Sequence, residues 1–351
     1  MAANKRAAKR ATPDAPAATR PWATLPPWLS EAGAALQRRE RSGRLPHALL
    51  LRGVPGVGKR LFARWFAQSV LCRDPGADGA CGDCPACRQS KVGAHPDYRE
   101  LVPEGAGIKV DAVRDLLVWQ QMSTPGGRWR VALLDGADTM NRNAANALLK
   151  TLEEPADGAL LLLVADQAAR LPATVRSRCQ DIVLAVESVP VALQWIGTRL
   201  VEQGQADTEA QTLLNRSGHA PLAAISLASG EAQETLVRVH KAWLDLFLHR
   251  ASVGRISDSL AELPVRQCLA VFLRLSALAL RQRAGLSVGP DPAEQSVVSQ
   301  VFDRLEDAQW FTIRDRVERL HRIDGPGFKT QAVLEGLLAD IRLMLTDRTG
   351  A

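Results

Sequence analysis

No stretch of this 351-residue chain is apolar for long enough to cross a membrane; the longest run, Ala159 to Ala165, has the length of a buried strand. The N-terminus also lacks the apolar core of a secretory signal. The chain is therefore expected in the cytoplasm, without a membrane partner, where disulfides are disfavoured and closely spaced cysteines are read as metal ligands. An excess of one charge is scarce as well, once its location is considered. The net charge is +6, but residues 1–20 carry Lys5, Arg6, Lys9, Arg10 and Arg20 against Asp14 alone. Four of the six charges thus sit in an Ala/Pro-rich arm with too little apolar surface to fold, either a solvated extension or a DNA-binding one.

Two further absences lie inside motifs that are otherwise present. Gly53-Val54-Pro55-Gly56-Val57-Gly58-Lys59-Arg60 fits Gly-x4-Gly-Lys and follows the apolar run Ala48 to Leu51. It reads as strand, phosphate-cradling loop and helix N-terminus, with Gly53, Gly56, Gly58 and Lys59 as the candidate nucleotide-binding residues. The Ser or Thr that would hold Mg2+ is missing, and Arg60 puts a cation in its place. Arg130 to Asp135 has the form of a Walker B strand, with Asp135 at its carboxyl end. The Glu that would follow it and polarise water is replaced by Gly136, which has no side chain. The pattern is a nucleotide-driven scaffold without its hydrolytic chemistry.

At 351 residues the chain exceeds one compact core and is expected to form two or three domains. A helix is expected from Leu29 to Arg41, and one from Arg60 to Cys72 with Leu61, Phe62, Trp65, Phe66 and Val70 on its apolar face. Next come Cys72 and, after eight residues, Cys81, Cys84 and Cys87. Short loops can fold four such thiolates around one zinc about 2.3 Å from each sulfur, closing a structural site. His95 in place of Cys72, or an iron–sulfur cluster, are the alternatives. A strand from His95 to Val102, a helix from Val110 to Met122, a turn at Pro125-Gly126-Gly127, a helix from Asn143 to Pro155 and a strand from Leu160 to Val164 complete a strand–helix alternation. That alternation implies a parallel sheet covered on both faces. Beyond Val186 the sequence reads helical throughout: Pro190 to Gln203, Asp207 to Arg216, Pro221 to Ala228, then longer helices. Leu236, Val239, Trp243 and Phe247 share one face, as do Val333, Leu337, Ile341 and Leu345.

Asn146 to Pro155, the four-cysteine insert after the P-loop helix, and Ser177-Arg178-Cys179 together resemble bacterial sliding-clamp loader subunits of the AAA+ class. The resemblance spans Trp22 to Cys179 and weakens thereafter. It implies an α/β AAA+ P-loop domain with zinc module (21–185, cysteines within 72–87), a helical lid (186–230) and an all-α collar (231–351). Arg60, Gly136, Ala165 or Asp166 at sensor 1 and Pro221 at sensor 2 depart from the motor subunits, gamma and tau. Those departures are similar to the non-hydrolysing stator member. The resemblance further implies a heteropentamer with gamma/tau and delta subunits that loads the sliding clamp on primed DNA. Arg178 would be an arginine finger acting on ATP in a neighbouring subunit, with Arg176 as competing candidate and a local carboxylate pair as the alternative role. Cys179 and Cys268 are expected to be small buried residues. A hydrolysing motor and a zinc-containing DNA-binding module are the other classes; the near balance of Arg73, Arg88 and Lys91 by Asp74, Asp78 and Asp83 argues against the latter.

Overall fold

The computed structural model describes residues 23–103, 107–122, 128–205, 210–228, 230–286, 291–322 and 330–346. The basic arm and the Pro125-Gly126-Gly127 turn lie outside the described residues. Five strands, β1 (Ala48–Arg52), β2 (Tyr98–Leu101), β3 (Arg130–Asp135), β4 (Ala159–Ala165) and β5 (Gln180–Val183), form one sheet in the order β2-β3-β4-β1-β5. Every pairing is parallel. Every residue of β3 and β4 is buried, as a strand covered on both faces requires. The edge strand β5 has no such apolar run, and its short Gln-Asp-Ile-Val sequence carries no signal that sequence reading could use.

Alternate residues of the strands feed two cores. Leu49, Leu51, Val131, Leu133, Leu160 and Leu162 pack with α1 (Ser30–Arg41) and α2 (Lys59–Leu71). Leu50, Ala132, Leu134, Leu161 and Leu163 pack on the other side with α4 (Val110–Gln120), α5 (Arg142–Glu153) and α6 (Ala173–Arg176), while the short α3 (Pro85–Lys91) lies against α2. In α2, Phe62, Trp65, Phe66 and Val70 are buried as expected, whereas Leu61 is only half-buried. Val113, Leu116, Leu117 and Gln120 all face inward from α4.

Three further helices follow, α7 (Val189–Glu202), α8 (Ala210–Arg216) and α9 (Pro221–Ala228). Their buried residues, among them Ile196, Leu200, Leu214 and Ala224, join the apolar cluster on the α1/α2 face of the sheet. The remaining helices, α10 (Gly230–Phe247), α11 (Val253–Leu260), α12 (Val265–Arg283), α13 (Pro292–Ser299), α14 (Asp307–Arg322) and α15 (Thr330–Thr346), enclose a separate core. At its centre Trp243 and Phe247 stack with Trp310. The expected face of α10 is buried in full; on α15 the stripe is Leu334, Leu337, Leu338, Ile341 and Leu345, with Val333 at its margin. Among the described residues no helix is long and apolar enough to cross a membrane.

Candidate functional site

The glycine loop leaves the carboxyl end of β1 and is tied down on every side. Gly56 and Gly58 adopt φ of 81° and 106°, values that glycine reaches without steric cost. A Cβ on Gly56 would lie 2.5 Å from that of Ala223, because the start of α9 rests directly on the loop. The Leu222 amide donates to Gly56 O over 3.1 Å. Below the loop, the Trp28 indole N–H donates to Val57 O, and Trp28 meets Trp195 of α7 edge-on. Glu187 accepts from the Glu31 and Ala32 amides at 3.1 and 2.9 Å, so its carboxylate satisfies the exposed N–H groups at the start of α1. Loop, α1 and α7–α9 are thus held as one piece.

The charges of the loop are likewise neutralised within the chain. Lys59, buried at 4% exposure, donates to Gly53 O and Val54 O and pairs with Asp166 at 2.6 Å. Arg60 reaches across and pairs with Asp135 at the end of β3. The guanidinium thus occupies the place on the Walker B aspartate that a divalent cation would take, and the lysine that would meet a phosphate is turned to a carboxylate. Asp138 is buried and accepts from the Asp166 and Gln167 amides, fixing the strand end that carries Asp166. Gly136 has φ 74°, and a Cβ there would lie 2.9 Å from Pro103. Of the two sensor 1 candidates, Asp166 faces the loop lysine, while Ala165 is buried in β4. Pro221 is buried at the start of α9.

Arg178 lies at the opposite end of the sheet. Gln180 is level with Leu49, so Arg178 sits before the start of β1 while Gly53 follows its end. At least four residues of strand, about 13 Å, separate the two levels. The buried Val175 anchors α6, leaving Arg176 and Arg178 exposed. The Arg178 guanidinium donates to Thr174 O at 2.9 Å and pairs with Glu153 Oε1 at 2.8 Å. Cys268 is buried as expected, but Cys179 is only half-buried; burial raises both thiols, to about 11 and about 12.

The four cysteines of the insert converge. Their sulfurs all lie within 4.8 Å of one another, with Cys72–Cys87 at 3.5 Å, Cys81–Cys87 at 3.8 Å and Cys72–Cys84 at 3.9 Å. Ligands 2.3 Å from a tetrahedral zinc lie about 3.8 Å apart, so the cluster has the right span for one such ion. Backbone N–H groups of Asp74, Cys81, Cys84 and Cys87 donate to the sulfurs, which favours thiolates. At Cys84, burial pushes the thiol up but amide donation from Arg73 and Cys87 wins and brings it down to about 6. At Cys87 burial and the neighbouring thiols push the other way. Four sulfurs this close do not ionise together without a cation among them. His95 is no part of the cluster: its Nδ1 accepts the Asp97 amide at 3.1 Å, so the alternative of His95 as fourth ligand is set aside. The insert is also less loop-like than its turn-forming residues imply, since Cys87 lies inside α3, with Cys84 as its N-cap. It is clamped onto the domain by Trp65 Nε1 on Asp78 O and Arg41 on Gly76 O.

Sequence reading missed Ala223, Glu153 and Glu187. None carries a local signal, because each acts on residues that are remote in sequence.

Residues 29–188 match the family described as DNA polymerase III, delta subunit. The DNA polymerase III subunit delta' of Pseudomonas aeruginosa is 36% identical over 245 residues, covering 69% of this chain and 73% of that protein. The subunit of the same name from Escherichia coli is 34% identical over 215 residues, 60% of this chain and 64% of that protein. The E. coli subunit tau is 39% identical over 137 residues, 39% of this chain and 21% of that protein.

Proposed function

The chain belongs to the family of DNA polymerase III delta' subunits, and we propose that it serves in the clamp loader as a subunit that turns over no nucleotide and lends Arg178 to a neighbour's ATP. The observation that carries this reading is the pairing of Arg60 with Asp135, which sets an internal cation where a hydrolytic site needs a metal. Lys59 on Asp166 and Ala223 against Gly56 point the same way. Arg178 is exposed at the end of the sheet remote from its own loop, which suits a guanidinium that stabilises charge on a γ-phosphoryl held by another chain.

On this reading residues 21–185 form the AAA+ domain, 186–230 the lid and 231–351 the collar through which gamma/tau and delta subunits join in a heteropentamer. The tight ties between glycine loop, α1 and α7–α9 suit a rigid face against which delta, the clamp and primed DNA are handled. Cys72, Cys81, Cys84 and Cys87 would hold a structural zinc, whose part is to close the insert, with no open position for chemistry.

The test is ATP turnover by a reconstituted loader with clamp and primed DNA, comparing wild type with Arg178→Ala, beside the isolated chain. The isolated chain should be silent. The mutant complex should lose activity, by up to about 10³-fold at the site that Arg178 serves. Turnover by the isolated chain, or full activity of the mutant complex, would overturn the proposal.

A further inference from the structure

We propose that Glu153 is a latch on the finger, a positioning residue that parks Arg178 against its own domain until a neighbour's γ-phosphate draws it away. The inference rests on the trans role of Arg178 given above. Two contacts fold the guanidinium back: one terminal nitrogen donates to Thr174 O at 2.9 Å, and the other pairs with Glu153 Oε1 at 2.8 Å. Both partners belong to this chain, and the carboxylate neutralises the charge that a phosphoryl group would use. Arginine binds carboxylate and phosphate through the same planar fork, so the two anions compete for one group.

The placement of Glu153 supports a functional role rather than a local one. It is the last residue of α5, ahead of Pro155, where the helix presents its partial negative charge and an acidic side chain is unfavourable. A residue that runs against the local preference is expected where function outweighs stability. The pair is also of the right strength for a latch. With side-chain exposures of 37% for Arg178 and 53% for Glu153, it is screened by water and weak enough to break when a more highly charged anion arrives. A buried pair would hold too firmly to open.

The experiment measures turnover against ATP concentration in the reconstituted loader, with full-length wild type, Glu153→Gln, Glu153→Asp, Arg178→Ala and the Glu153→Gln/Arg178→Ala double variant. Removing the carboxylate should lower the half-saturating ATP concentration about two- to fivefold, the range set by an exposed pair, with the maximal rate unchanged. Glu153→Asp, which keeps the charge, should stay near wild type. The effect should vanish in the Arg178→Ala background, and melting temperatures of the isolated variants should match wild type. An unchanged ATP dependence in Glu153→Gln, or a shift that persists without Arg178, would overturn the latch while leaving the finger intact. A loss of maximal rate in Glu153→Gln would also overturn it, by showing that Glu153 holds Arg178 in its working position. Full activity of Arg178→Ala would overturn the finger and the latch together.

Discussion

At the scale of single residues, the loss of nucleotide chemistry is an exchange of partners rather than a deletion. Asp135 has 10% of its side chain exposed and depends on Arg60 for neutralisation. Replacing Arg60 by Ala should leave that carboxylate short of a partner and cost about 1–3 kcal/mol, measured by chemical denaturation. Replacing it by Thr restores the magnesium-holding hydroxyl but should not restore nucleotide binding. Lys59 stays on Asp166 and Ala223 stays against Gly56, so calorimetric titration with ATP and Mg2+ should show no heat of binding. His240 in α10 illustrates a different residue effect. Burial, then the charge of Arg274, lowers its pKa from 6.5 to about 4. Below pH 6.5 the unfolded imidazole takes up a proton that the folded one accepts only near pH 4, so stability should fall as pH drops through that window. The full effect is on the order of 3 kcal/mol. Glu294, 4.0 Å away, is raised by burial and partly offsets the slope, because it binds its proton more readily folded than unfolded. His240→Gln should flatten the dependence, as read from urea midpoints between pH 4 and 6.5.

At the scale of elements, the cysteine insert and α9 both work by pressing on something else. The insert holds α1 and α2 through Trp65 and Arg41, and Gly79 packs so closely on the Trp65 ring that a Cβ there would lie 2.5 Å from the indole nitrogen. Metal bound at its four sulfurs should therefore stabilise the whole domain. Elemental analysis should find about one zinc per chain, and chelation or Cys84→Ser should lower the melting temperature and expose Trp65, seen as a change in fluorescence. The helix α9 closes on the glycine loop by packing Ala223 against Gly56 and donating the Leu222 amide to Gly56 O, so it fills space beside the loop that a bound phosphate would need.

At the scale of the whole molecule, the helices α7–α9 and the bundle α10–α15 meet at a knot of charges. Arg216 of α8 pairs bidentately with Asp291, the N-cap of α13, and Arg274 of α12 pairs with Glu294 and donates to Arg216 O. Asp291 is nearly buried, so removing one partner strands the other away from water. Asp291→Ala should cost about 3–5 kcal/mol locally. Because the two cores are separate, it should also split thermal unfolding into two transitions, which calorimetry would resolve.

The sequence alone determined the strand–helix order, the buried strands β1, β3 and β4, the helix faces and the defects at Arg60 and Gly136. These are properties of spacing and residue type, which local periodicity records. It also placed the four cysteines within reach of one ion, because short loops leave few other outcomes. Only the tertiary structure decided that Arg60 lies on Asp135, that Lys59 lies on Asp166, that Ala223 covers Gly56 and that Glu153 holds Arg178. Each joins residues dozens of positions or two elements apart, and a contact of that kind leaves no period in the chain. It exists only once the parallel sheet has brought the ends of its strands together.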